Sequence, residues 1–180
     1  MVKELSRVLQ ILAASFSRLD DTPMTEPTPL PVAQRAEWLR VLARGAAEEL
    51  ARLAGPVLAD YAFEDLRAPE QGLVMVRARI GNSGDRFNLG EATVTRCAVR
   101  LRRADGSMVA GVGHVLGRDT ARAERIAQLD ALLQMPSLHA LLQQTVLEPL
   151  RAHTARRESE ERARTESSRV RFFALQPEAA

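Results

Sequence analysis

An alternating segment joined to a tight turn is the feature that most limits the possible folds. In EATVTRCAVRL, residues 91–101, every second side chain can face a core, and this set is Thr93, Thr95, Cys97, Val99 and Leu101. A period of two predicts a half-buried β-strand. Asp105-Gly106 follows, a dipeptide that favours a β-hairpin turn, and the apolar run VAGVGHVLG comes next. The sequence therefore predicts an antiparallel sheet.

Two further strand-like segments precede this hairpin. DYAFEDLR and GLVMVRARI, residues 60–67 and 72–80, are separated by APEQG, whose proline and glycine predict a turn. The glycine-punctuated segment GNSGDRFNLG, residues 81–90, predicts a loop before the next strand. With the two strands above, these segments predict a four-stranded antiparallel meander.

Helical periodicity flanks the predicted strands. Residues 33–53 carry Trp38, Leu42 and Leu50 on one broad face, and Gly45 is a point at which this helix can break in two. Asp119 is suited to cap a second helical region that continues toward the C-terminus. We therefore expect an α+β fold with an N-terminal helix, a four-stranded antiparallel meander and C-terminal helices packed on the sheet.

The two ends of the chain differ in composition from its centre. Residues 1–31 predict an extension with a Pro-rich linker, DDTPMTEPTPLP, and residues 32–176 predict a single domain. Within that domain, residues 151–176 predict a partner-facing helix and an apolar tail, in which Phe172 and Phe173 are candidates for docking. The sequence leaves open whether this tail packs on its own chain or on a partner, and whether Met1 or Met24 is the start.

Composition excludes several kinds of protein. Lys and Arg total 25 against 23 Asp and Glu, and aromatic residues make up only 4%, so a nucleic-acid partner is not expected. The single cysteine, Cys97, cannot form an intrachain disulfide or hold an iron–sulfur cluster alone, and a buried strand position is favoured over a nucleophile. His114, His139 and His153 lack metal-ligand spacing, so no metal site is expected. The sequence has no run of about 18 apolar residues, so no membrane span is expected.

Arginines around the predicted loop and strands form a candidate anion-binding or interface site. Its residues are Arg79, Arg86, Asn88, Glu91, Arg96 and Arg118. The arginine guanidinium binds phosphate through bidentate hydrogen bonds, which would suit a stand-alone phosphate-binding transferase with an arginine-rich sheet face. The alternatives are a partner surface, or a solvated face with Glu64, Asp65 and Glu91 as counter-ions and a loop that needs its glycines only to turn. No catalytic set stands out, so catalytic residues remain unassigned.

Several of these segments together resemble a known family. FNLGEATVTR followed by LGRDTARAERIAQLDAL, with AEWLRVLARG before and SRVRFFAL after, is similar to the PhnG subunit family of the bacterial carbon–phosphorus lyase system. The similarity covers roughly residues 35–175.

The resemblance implies membership of a cytoplasmic core complex with PhnH, PhnI and PhnJ, assisted by PhnL. It implies a transferase subunit, inactive alone, that is needed to make alpha-D-ribose 1-methylphosphonate 5-triphosphate from ATP and methylphosphonate with adenine release. The resemblance also implies that this chain binds no cofactor by itself, and that PhnJ carries an iron–sulfur cluster. It supplies no catalytic residues that could be transferred to this sequence.

Overall fold

The computed structural model describes residues 32–81 and 83–169. The predicted extension, residues 1–31, and the predicted docking residues Phe172 and Phe173 lie outside the described residues. Within the described part, the helices are α1 Val32–Arg44, α2 Ala47–Leu58, α3 Thr120–Leu133, α4 Pro136–Leu142 and α5 Glu148–Ser167, with a π-helical turn at Gln143–Leu147 between the last two. None of the described helices is long and apolar enough to cross a bilayer.

The sheet has three antiparallel strands, and the prediction of four is wrong. The strands are β1 Phe63–Arg79, β2 Arg86–Arg102 and β3 Met108–Leu116, in the order β1-β2-β3. The two segments predicted as separate first and second strands are one continuous strand of 17 residues. The α+β class and the flanking helices are as predicted.

The predicted APEQG turn is absorbed into β1 as irregularities in its pairing with β2. The register shifts between Asp65 and Arg67 and again between Arg67 and Glu70, so β1 gains residues without reversing direction. Because β1 is bonded to β2 on one side only, Pro69 can sit at such a bulge without removing a required ladder bond. Proline and glycine therefore mark a bulge here.

The loop predicted over residues 81–90 is also shorter than expected. β2 begins at Arg86, so only residues 80–85 connect the strands. The added residues of β2 pair with the end of β1, from Arg79 opposite Arg86 to Val76 opposite Gly90. The glycine-rich composition of residues 81–90 therefore made the predicted loop too long, because residues 86–90 belong to β2.

The core lies between the sheet and α3. Of the predicted inward face of β2, Thr95, Cys97, Val99 and Leu101 are buried, whereas Thr93, where the ribbon-like end of β2 begins, is only half-buried. The glycines of β3 let the helix approach closely: a Cβ on Gly111 would lie 1.9 Å from the Ala127 carbonyl oxygen, and one on Gly113 would lie 1.9 Å from that of Ala123. Only glycine is compatible with so short a distance between β3 and α3.

A buried carboxylate joins α1, α3 and the free edge of β3. Asp130 of α3 is 0% exposed and accepts hydrogen bonds from Trp38 Nε1 at 2.8 Å and from the backbone N–H of Val112 at 2.8 Å. Arg35 donates to the same carboxylate through Nη2 at 2.6 Å and Nε at 3.2 Å. A buried charge requires this many partners, because each unmet donor or acceptor would cost free energy.

The break between α1 and α2 is stabilised from α3. The helix predicted over residues 33–53 does break at Gly45, as the sequence allowed. Arg122 Nη2 donates to the carbonyl oxygens of Ala43 at 2.5 Å and Gly45 at 2.6 Å, which satisfies acceptors at the end of α1. Asp119 caps α3 by accepting from the Arg122 N–H at 3.0 Å, as predicted.

Replacing Asp130 with asparagine should destabilise the fold. The amide would turn a donor toward groups that are themselves donors, and the charge that pairs with Arg35 would be lost. We expect the free energy of unfolding to fall by about 3 kcal/mol. For a chain of this size, that lowers the melting temperature by roughly 6–12 °C, measurable by thermal denaturation.

Asp60→Asn is the matched control, because Asp60 is exposed and forms no ion pair with the described residues. Its melting temperature should stay near that of the unsubstituted chain. Equal melting temperatures for the two variants would show that the Asp130 carboxylate does not organise the core.

Candidate functional site

The far end of the β1–β2 pair extends beyond the third strand. β3 pairs with β2 only as far as Val94, which lies opposite Leu116. From Leu73 opposite Thr93 to Arg79 opposite Arg86, β1 and β2 pair with each other alone. We call residues 73–93 the ribbon. Both of its outer edges lack a neighbouring strand within the described residues, and two-stranded ribbons are marginally stable in water by themselves.

The ribbon exposes a concentration of large apolar side chains. Ile80 is 78% exposed, Leu89 64% and Leu73 63%. The full exposed apolar set of the ribbon is Leu73, Val74, Met75, Val76, Ile80, Phe87 and Leu89. Isolated exposed apolar residues are ordinary, but a contiguous group on a projecting ribbon indicates a surface that another molecule covers.

These apolar residues are not among the site residues predicted from the sequence. A signal for them exists in LVMV, residues 73–76, where four apolar residues follow one another in a strand. Alternation places such neighbours on opposite faces, so both faces of the strand are apolar. A chain that buries only one face would carry polar residues at every second position.

Most of the predicted anion-site residues lie on the ribbon. Arg79 lies opposite Arg86, Arg77 lies opposite Asn88, and Glu91 lies opposite Met75. Residues directly opposite each other in an antiparallel pair share a face, so Arg79 and Arg86 project to the same side. Among the described residues, neither forms an ion pair.

Arg96 lies apart from this group, on the solvent face of the sheet. Its guanidinium donates to Glu70 across the strands, and Arg100 donates in the same way to Glu64. The hydrogen bond from Arg96 lowers the pKa of the Glu70 carboxyl below its ordinary value, and Arg100 does the same to the pKa of Glu64. At this part of the sheet, the structure matches the interpretation of a solvated face with its own counter-ions.

Arg118 lies at the base of the ribbon. It follows Gly117, whose N–H donates to the Thr93 carbonyl oxygen at 2.8 Å, and it is exposed. Arg118 is therefore close in the fold to the start of the ribbon, while Arg79 and Arg86 lie at its other end.

The turn at the end of the ribbon needs its glycines for conformation. Gly81 has φ of 63°, in the left-handed region that favours glycine. A Cβ on Gly84 would lie 2.4 Å from the Ile80 carbonyl oxygen, to which the Gly84 N–H donates at 3.2 Å. Backbone conformation and close packing therefore account for Gly81 and Gly84, and a bound ligand is not needed to explain them.

Cys97 has the surroundings of a structural residue. It lies on the inward face of β2, is 2% exposed, and burial raises the pKa of its thiol to about 11, with further contributions from Asp65 and Glu124. A nucleophilic cysteine requires a lowered thiol pKa and access to substrate. The structure therefore supports the predicted buried role.

His139 is held by contacts within the core, and His114 is exposed. His139 contacts the Leu133 carbonyl oxygen through Nδ1 at 2.8 Å and packs edge-on against Trp38 with ring centres 5.5 Å apart. His114 is exposed on β3. No cluster of three His, Cys, Asp or Glu side chains within residues 32–81 and 83–169 could hold a metal ion.

A shallow groove of about 260 Å³ between α1 and α5 is occupied by internal charge pairs. Arg44 contacts Glu158 at 2.6 Å, and Arg151 approaches Glu37 at 3.9 Å. Since these charges satisfy each other, the groove offers a weaker site than the ribbon.

Comparison with known proteins identifies a family. The family model of the phosphonate metabolism protein PhnG matches residues 33–176. The alpha-D-ribose 1-methylphosphonate 5-triphosphate synthase subunit PhnG of Rhizobium meliloti (strain 1021) is 45% identical over 148 residues, which cover 80% of this chain and 89% of that protein.

Cys97 should be unreactive in the folded chain. With its thiol pKa raised from 9.0 to about 11, the folded chain should react with a thiol-specific reagent at pH 8 at least about 100-fold more slowly than the chain unfolded in urea. Burial favours the neutral thiol in the folded chain. The free energy of unfolding is therefore highest below pH 9, where the thiol is neutral in both states, and falls as the pH rises from 9 toward 11, where only the unfolded chain ionises readily.

Labelling followed by mass spectrometry measures this reactivity, and Cys97→Ala supplies the baseline without a thiol. Equal labelling rates in the folded and unfolded chain would contradict a buried thiol.

Proposed function

Because the chain belongs to the PhnG family, we propose that it is a subunit of the carbon–phosphorus lyase core complex. In phosphonate catabolism this complex would make alpha-D-ribose 1-methylphosphonate 5-triphosphate from ATP and methylphosphonate, with release of adenine. The observation that carries the proposal is the 45% identity to a named subunit of that synthase, over 80% of this chain.

The role of this chain within the complex is structural or co-catalytic, and we expect it to be inactive alone. Its one thiol is buried with a raised pKa, and His139 is engaged with Trp38 and the Leu133 carbonyl oxygen. The chemistry of adenine displacement is therefore assigned to the assembled complex. The part of the sheet face around Arg96 and Arg100 gives a stand-alone transferase no support, since both arginines are already paired with glutamates.

We assign the ribbon to contact with another subunit of the synthase. Burial of the surface that these side chains still expose would favour association, by less than the about 1.5–3 kcal/mol per side chain of complete burial, because each is already partly buried. The open edges of the ribbon could also add backbone hydrogen bonds to a partner strand. A PhnI-type subunit is the first partner to test, followed by PhnJ, PhnH and PhnL.

The proposed complex lies in the cytoplasm, and its cofactor lies on a partner. ATP and the alkylphosphonate are substrates of the assembly. The resemblance to the PhnG family implies that the PhnJ-type subunit holds the iron–sulfur cluster, and the single cysteine of this chain cannot supply the ligands of such a cluster by itself.

Leu89→Asp should weaken assembly and, through it, adenine release. Leu89 lies at the ribbon bulge and is 64% exposed in the isolated chain, so a charge there should leave the fold intact. Buried in an interface, the same charge would cost at least about 2 kcal/mol, or roughly 30-fold in the Kd for the PhnI-type subunit. Co-purification and adenine release from ATP plus methylphosphonate would measure the two effects.

Leu141→Asp is the matched control, since Leu141 is 50% exposed on α4, away from the ribbon. It should assemble and support adenine release as the unsubstituted chain does. Full activity of a complex that lacks this chain altogether would contradict the proposed function. Normal assembly with Leu89→Asp would exclude the ribbon as the contact.

A further inference from the structure

We propose that the cationic face at the end of the ribbon binds the polyphosphate chain of the nucleotide handled by the complex. The face consists of Arg77, Arg79, Arg86 and Asn88. This inference rests on the proposed function, because it names the substrate group that a subunit of the synthase would contact. It assigns to the chain a ligand-binding role in addition to assembly.

The strand register brings these four side chains to one face. Arg79 lies directly opposite Arg86, and the next same-face pair along the ribbon is Arg77 opposite Asn88. Opposed Cβ atoms in such a ladder are about 4.5–5.5 Å apart, so two guanidinium groups can reach one anion between them. The resulting patch has the size of a small polyanion rather than of an extended acidic surface.

The charges on this face lack internal compensation. Like charges placed directly opposite each other destabilise a β-ladder. Elsewhere on the sheet the chain supplies counter-ions, Glu70 for Arg96 and Glu64 for Arg100. The acids of the ribbon, Asp85 and Glu91, form no ion pair with its arginines among the described residues. An external anion would remove this repulsion.

The two faces of the ribbon end differ in chemistry. Val76, Ala78 and Phe87 share the face opposite the arginines, with Ala78 paired to Phe87 and Val76 paired to Gly90. Phe87 is 39% exposed, so this apolar face is available to a partner subunit. A partner docked there would leave the guanidinium groups directed away from it, toward a ligand. Guanidinium groups bind phosphate oxygens through paired hydrogen bonds, and the Asn88 amide adds a neutral donor.

The first test measures tripolyphosphate binding to the assembled complex by calorimetry. The double variant Arg79→Ala/Arg86→Ala should raise the Kd about 10-fold or more, because charge-assisted hydrogen bonds are lost. Arg79→Lys/Arg86→Lys should recover part of the affinity, since it restores charge but not the paired donors. The control Arg156→Ala/Arg164→Ala removes the same charge from exposed positions on α5 and should leave the Kd unchanged.

An unchanged Kd in the alanine double variant, with assembly intact, would overturn the proposal. A second measurement does not depend on how the variant folds. In the unsubstituted complex, glyoxal modification of Arg79 and Arg86, followed by mass spectrometry, should be rapid without ligand and slow with tripolyphosphate. Arginines that are already unreactive without ligand would be engaged by a partner's acidic surface, and reactivity insensitive to tripolyphosphate would mean no contact. Either result would overturn the proposal.

The proposed function is tested separately by adenine release from the unsubstituted complex with and without this chain. If release depends on the chain but the arginines are insensitive to tripolyphosphate, the ligand-binding role alone fails. If release is independent of the chain, the subunit assignment itself fails.

Discussion

The buried carboxylate of Asp130 is the interaction on which the arrangement of this protein depends. It binds the indole N–H of Trp38, the guanidinium of Arg35 and the free backbone N–H of Val112, so one side chain fixes α1, α3 and the outer edge of β3. Because this N–H already donates to Asp130, it is not available to a fourth strand beside β3. The ribbon, at the other end of β1 and β2, pairs with no third strand among the described residues.

At that other end the chain leaves surface uncovered. The ribbon has two long strands, no helix or third strand paired with it among the described residues, and apolar side chains as exposed as Ile80 at 78%. Natural proteins usually protect such edges with charges, prolines or bulges, and β1 has these devices around Pro69 but not along LVMV. In the proposed complex, another chain would supply the missing cover. The cationic and apolar faces of the ribbon end would then have separate uses, one toward ligand and one toward protein.

Local chemistry explains which features were predictable from the sequence. The inward face of β2, the Asp105-Gly106 hairpin, the break at Gly45 and the Asp119 cap each depend on neighbouring residues, and the structure has all four. The strand count failed because APEQG has the composition of a turn, and only pairing with β2 decides that it forms bulges instead. Glu64, which the sequence offered as a counter-ion, pairs with Arg100, but Glu70, the partner of Arg96, was not predicted, since the cross-strand register selects the partner. The ribbon itself depends on where β3 stops, which no single segment encodes.

Amide hydrogen exchange of this chain, alone and in the assembled complex, tests most directly whether the ribbon is completed by a partner. Backbone amides of residues 73–81 and 83–93 should exchange rapidly in the isolated chain and at least about 10-fold more slowly in the complex, since within the chain only the marginally stable β1–β2 ladder protects them. Amides around Thr95, Cys97 and Val99 should be protected in both states, because the core buries them in either case. Ribbon amides that exchange equally fast in the two states would contradict the account.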